Sequence, residues 1–143
     1  MKSKISTVLK YSLAVLFLYA GSYKISNVSL FRSQMFESPL LPEKLVPFIA
    51  VALPCFELCL GLFLLFADNF LNILYRISFS LMLSFTVYLI MLYTMYSKPP
   101  CACGGILSGM SYPVHIAFNI LFTIAALISI KLNPPSNENK DNH

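Results

Sequence analysis

The residues best equipped for chemistry lie in "KPPCACGGILSGMSYPVHI", residues 98–116. Cys101 and Cys103 stand one residue apart, behind Pro99 and Pro100 and ahead of Gly104 and Gly105. The prolines stiffen the approach and the glycines permit positive φ, so the pair belongs to a turn, not a helix. A disulfide between residues i and i+2 closes a very small ring. Such a ring is strained, and strained disulfides are readily reduced, which suits exchange better than stapling. His115 is the nearest sequence candidate to stabilise a thiolate, if it folds back over the turn. Two other readings stay open. Cys101, Cys103 and His115 supply three potential metal ligands, but the C-x-x-C spacing of common zinc sites is missing, and we assign no metal. Alternatively, the cysteines are inert turn residues.

A second candidate is Glu57, the one acidic residue deep within an apolar run. A carboxylate at mid-membrane depth costs about 2.5–3.5 kcal/mol, so it should face the bundle interior. Lys24 is the first candidate partner and a tyrosine hydroxyl the second. Cys55 and Cys59 flank Glu57, two residues away on either side. On a helix each lies about 160° around from it, so both should point toward lipid or a neighbouring protein and behave as small apolar residues.

These residues need elements to hold them. The chain has 143 residues, 57% of them hydrophobic and 11% charged, with a mean hydropathy of +0.73. Soluble domains carry roughly 25% charged residues, so this composition describes a single integral membrane domain in a lipid bilayer. No basic block suggests nucleic acid. Four runs reach the length of a spanning helix: about Ile5–Ile25, Val46–Ala67, Phe70–Tyr96 and Val114–Ile130. The stretch "NVSLFRSQMFESPLLPEKLVPF" after the first run carries Val28, Phe31 and Met35, with Leu30 and Phe36 beside them. It predicts a short interfacial amphipathic helix, either a cap over the cysteine turn or a connector resting on lipid. Pro39, Pro42 and Pro47 then redirect the chain. Pro54 should kink the second span and free the carbonyl of Ala50. Arg76, Ser80, Ser84 and Tyr88 recur every four residues on the third span, and His115, Asn119 and Thr123 do so on the fourth. In lipid such stripes turn toward protein. The tail "NPPSNENKDNH" is polar and should be disordered.

An even number of spans puts both termini on one side. Lys2, Lys4, Lys10, Arg76, Lys131 and Lys140 belong to that side, and Lys24, Arg32, Lys44 and Lys98 to the other. The bias favours cytoplasmic termini, which makes the cysteine turn face outward, into the periplasm of a bacterial cell.

With "AGSYKI" (20–25) closing the first span, "ELCLGL" (57–62) in the second and "CACGG" before the fourth, the chain resembles the MauE/DoxX family of small four-helix membrane proteins over about residues 5–131. The resemblance implies that Cys101 and Cys103 occupy the family's C-x-C turn and that Lys24 and Glu57 match its polar helix positions. The family is similar in plan to bundles that pass electrons between thiols and quinone, which makes quinone the cofactor to consider. The absence of a C-x-x-C pair argues against direct quinone reduction here. Within the family, MauE is implicated in maturing a disulfide-rich amine dehydrogenase beside a thioredoxin-like partner.

The expectation is therefore an all-α membrane protein. A four-transmembrane-helix bundle spans residues 5–131, with a short interfacial helix between helices 1 and 2, and residues 132–143 form a polar tail. It sits in the bacterial inner membrane as a thiol–disulfide component, meeting a thioredoxin-like partner through Cys101, Cys103 and His115. Lys24, Glu57 and Asn119 hold the bundle. The rival expectation is a non-enzymatic accessory subunit of a larger membrane complex.

Overall fold

The computed structural model describes residues 1–38, 40–95 and 111–134. The elements in order are α1 (Lys2–Ser26), α2 (Val28–Phe36), α3 (Val46–Phe66), a 3-10 turn (Asp68–Phe70), α4 (Leu71–Met95) and α5 (Tyr112–Leu132). The described residues contain no strand. Four of the helices are long and apolar enough to cross a membrane. The protein is a multi-pass four-helix membrane bundle, with a short helix between the first two spans as the sequence predicts.

Local chemistry sets the ends. α1 stops at Asn27, whose backbone N–H and side-chain amide both donate to the Tyr23 carbonyl, at 3.0 and 3.1 Å. α3 and α5 each carry a proline in the first turn, Pro47 and Pro113, where the missing N–H costs nothing. Pro54 lies inside α3 and is buried.

The bundle is two close helix pairs, α1 with α3 and α4 with α5. Glycine makes the first pair possible. A Cβ on Gly21 would stand 2.8 Å from Leu58 Cγ and 2.9 Å from the Pro54 carbonyl oxygen. One on Gly61 would meet Leu18 Cγ at 2.8 Å and the Ala14 carbonyl oxygen at 3.1 Å. Small residues let membrane helices approach this closely, which matters where no hydrophobic effect drives them together. Leu13, Ala14, Phe17, Leu60, Leu64, Leu74, Tyr75, Met82 and Ala126 form the larger core cluster. A smaller cluster of Phe31, Met35, Val46 and Ala50 fixes α2 against the start of α3. Val28, Leu30 and Phe36 stay exposed, so α2 buries only its Phe31–Met35 edge. Val15, Phe48, Phe63, Phe66, Ile73 and Leu121 are exposed as well. An outward apolar surface of this extent fits a bilayer solvent.

The beginning and the end of the helical chain meet. The Asn133 side chain donates to Ser6 Oγ at 2.9 Å, and Asn72 donates to the Asn133 carbonyl. The start of α1 and the end of α5 therefore share one end of the bundle. Lys10, on α1, pairs with Asp68 at 2.6 Å.

One expectation needs correction. The four-residue stripe on the third span predicts that Arg76, Ser80, Ser84 and Tyr88 turn toward protein; Tyr88 does, bonding Ser38, but Arg76 and Ser80 are exposed, and Ser84 is exposed while bordering a cavity between the helices. The buried polar groups of α4 are Ser78 and Thr86, two residues out of step with that stripe. Ser84 gives its hydroxyl hydrogen to the Ser80 carbonyl at 2.8 Å, so it needs no neighbouring helix.

Candidate functional site

The site lies between the two helix pairs. α1 brings Lys24 and α3 brings Glu57, and Lys24 Nζ stands 2.6 Å from Glu57 Oε1. Their side chains are 6% and 1% exposed, so this is a buried ion pair and not a surface contact. Such a pair offsets its desolvation only when the geometry is close and the remaining polar atoms are satisfied. The lysine is well provided for. Its ammonium also lies 4.8 Å from the Phe85 ring centre and 5.6 Å from that of Phe31, within cation–π range. The carboxylate is not. Glu57 Oε2 is buried and has no hydrogen-bond partner among the described residues.

The pair borders a cavity of about 260 Å³. All five helices contribute to it: Phe17 and Lys24 from α1, Phe31 and Met35 from α2, Leu53 and Glu57 from α3, Phe85 and Tyr88 from α4, and His115, Phe118 and Asn119 from α5. His115 is 2% exposed. The Asn119 amide donates to the His115 carbonyl at 3.4 Å, a long bond, and Thr123 Oγ1 donates to the Asn119 carbonyl at 2.7 Å. The Thr123 and Thr86 hydroxyls lie 3.3 Å apart and link α5 to α4. The Tyr88 hydroxyl donates to Ser38 Oγ at 2.8 Å and ties α4 to the chain leaving α2. The stacked rings of Tyr93 and Tyr112, 6.2 Å apart, hold the end of α4 beside the start of α5.

The structure thus gathers Lys24, Glu57, His115 and Asn119 on one cavity. Cys101 and Cys103 lie outside the described residues, in the segment joining Met95 to Ser111. Cys55 and Cys59 are exposed on α3, while Glu57 between them is buried. Among the described residues no group of three or more His, Cys, Asp or Glu side chains could hold a metal ion. Sequence reasoning placed Phe31 only on the short amphipathic helix and missed Phe17, Phe85 and Phe118, the rest of the aromatic wall. A signal for Phe85 existed, three residues before Tyr88 on the same helix face, but it was submerged in a run of apolar residues.

A four-helix membrane bundle with a buried lysine–glutamate pair on an aromatic cavity is the class that fold and site define. The family model described as methylamine utilisation protein MauE matches residues 2–132. The chain belongs to the MauE family, which makes it a membrane protein linked to methylamine utilisation. No curated protein and no solved structure matches the chain.

Proposed function

We propose that this protein is a membrane-embedded thiol–disulfide exchange component, with Cys101 and Cys103 as the reacting pair and a thioredoxin-like protein as its partner. The observation that carries the reading is the place of His115. It sits in the first turn of α5, soon after the segment that holds the cysteines, and borders the same cavity as Lys24, Glu57 and Asn119. His115 follows Cys103 by 12 residues, 115 minus 103, and an imidazole can stabilise a thiolate if it folds back over the turn.

The exchange balances without an outside reagent. With the pair oxidised, a partner thiolate attacks one of its sulfurs, and the Cys101–Cys103 bond breaks as a mixed disulfide forms. The partner's second thiolate then attacks that mixed disulfide and leaves as part of an oxidised partner. Two electrons pass from the partner's dithiol to Cys101 and Cys103, which take up the two protons. In this reading the turn faces outward across the bacterial inner membrane and both termini face the cytoplasm, in line with the lysine and arginine distribution.

The test is non-reducing electrophoresis of the Cys101→Ser and Cys103→Ser variants in the native host, with mass spectrometry of any reducible adduct. Neither single variant can form the Cys101–Cys103 bond, so its remaining thiol can only attack an oxidised partner, the exchange run in reverse; the variant that keeps the attacking cysteine should accumulate a mixed disulfide and the other should show none. If neither changes the redox state of any protein, and the wild-type pair is never oxidised, the exchange reading fails. The chain is then an accessory subunit of a larger membrane complex.

A further inference from the structure

Glu57 presents an unsolved requirement. Its Oε1 is held by Lys24 at 2.6 Å, but its buried Oε2 has no partner among the described residues. A buried polar atom left unbonded is costly, more so on a charged group, and native structures seldom keep one without a reason. Glu57 borders the cavity of about 260 Å³, so that cavity is the place from which a donor can reach it.

The lining limits what the donor can be. The Lys24–Glu57 pair is already neutral as a unit, so an ammonium or carboxylate ligand would bring an unpaired charge into a dry site. The guest is neutral. The walls of Phe17, Phe31, Phe85 and Phe118, with Met35 and Met82, favour a flat ring, which aromatic side chains and thioethers contact well. A single water at Oε2 would leave the phenylalanine-lined part of the cavity unfilled, because most of the lining is apolar. A ring with carbonyl oxygens only would accept hydrogen bonds and still leave Oε2 bare. The ring must carry a donor, and an O–H makes the shorter bond to a carboxylate oxygen than an N–H does.

We propose that the cavity between the two helix pairs binds a neutral phenol taken from the membrane, its hydroxyl donating to Glu57 Oε2 and its ring held between the phenylalanines. The cavity size suits a single ring with a short substituent, below the usual range for drug-sized ligands. The bilayer is the source, since apolar side chains cover the outside of the bundle. This inference does not rest on thiol exchange, and its test can be run with Cys101 and Cys103 both replaced by serine.

The probe is 4-propylphenol, with 4-propylanisole as the matched ether lacking the donor. Binding to the purified full chain in lipid nanodiscs is measured by titration calorimetry, with empty nanodiscs subtracted. The phenol should bind saturably at one site and about tenfold more tightly than the ether, a difference of roughly 1.4 kcal/mol. Ala20 and Leu53 border the cavity from α1 and α3. Ala20→Phe should fill it and abolish the saturable component, and Leu53→Trp serves from the other helix if the first variant does not fold. Equal affinity for phenol and ether, no saturable component in the wild type, or binding unchanged in a folded cavity-filling variant would overturn the proposal.

Discussion

Replacing Lys24 by methionine separates the ion pair's net worth from the cost of breaking it. Methionine keeps much of the length and apolar stem of lysine but removes the ammonium that lies 2.6 Å from Glu57 Oε1. Glu57 would then be left 1% exposed with neither oxygen partnered, because Oε2 already lacks a donor among the described residues. Removing one member of a buried pair costs about 3–5 kcal/mol, since a charge is stranded away from water. The double variant Lys24→Met with Glu57→Leu strands nothing. Apolar replacements of whole buried pairs are often neutral or stabilising by about 1–4 kcal/mol. The bare Oε2 puts this pair among those with an incompletely satisfied member, so the double variant should be at least as stable as the wild type. Thermal unfolding in mild detergent reads both. One kcal/mol moves Tm by roughly 2–8 °C in domains near this size, so the single variant should lose at least about 6 °C. A single variant within about 2 °C of wild type, or a double variant as unstable as the single, would refute the account of Lys24 as the partner that makes a charged Glu57 tolerable.

Other perturbations follow from the same contacts. Gly21→Ala should destabilise by about 1–3 kcal/mol, because its Cβ would press on the Pro54 carbonyl, which cannot rotate away; Gly61→Ala should cost less, since Leu18 can repack, and the order of the two Tm values checks it. Lys10→Met should change stability by about 1 kcal/mol or less, because Asp68 is 73% exposed and screened by solvent although the Lys10 side chain is only 11% exposed, and a salt titration of the wild type should move Tm little. Replacing Cys55 and Cys59 together by alanine should leave both Tm and any mixed disulfide unchanged, read by unfolding and by non-reducing electrophoresis. Thr86→Val should cost about 0.6 kcal/mol or less, the mean for a hydrogen bond between membrane helices, because both hydroxyls also donate within their own helices, to the Met82 and Asn119 carbonyls; a Thr86→Val, Thr123→Val cycle measures the coupling across 3.3 Å.

Some of this was legible in the sequence because the bilayer makes a few residues unambiguous. A lysine and a glutamate inside apolar spans had to find each other or water, and the helix geometry that turned Glu57 inward turned Cys55 and Cys59 outward. His115, Asn119 and Thr123 recur every four residues, and all three are buried on one face of α5. On α4 the same rule held for Tyr88 but not for Arg76 or Ser80. Serine can bond the carbonyl four residues back, as Ser84 does to Ser80, so a serine stripe does not reveal which face meets protein. The face that does is marked by Leu74, Tyr75, Met82 and Leu89, which look like every other apolar residue of the span. The cavity was illegible for a different reason. It depends on how far one helix pair stands from the other, and no periodicity within a single helix encodes that distance.

That separation follows from the unequal contacts of the bundle. Gly21 and Gly61 commit α1 to α3, and the Thr86–Thr123 contact links α4 to α5. Between the pairs, the larger core cluster draws Leu13 and Phe17 of α1, Leu60 and Leu64 of α3, Met82 of α4 and Ala126 of α5 into one packed mass. Phe31 and Met35 of α2 pack with Val46 and Ala50 of α3, in a cluster that takes in no residue of α4 or α5 among those described. The pairs are thus joined by packing at one level and only bordered by α2 at the other, where the cavity takes Lys24, Glu57, His115 and Asn119 into its wall. Placed on the cavity, Glu57 can keep one oxygen for Lys24 and hold the other for something that enters and leaves. The Tyr88–Ser38 hydrogen bond spans the same level, between α4 and the chain that follows α2.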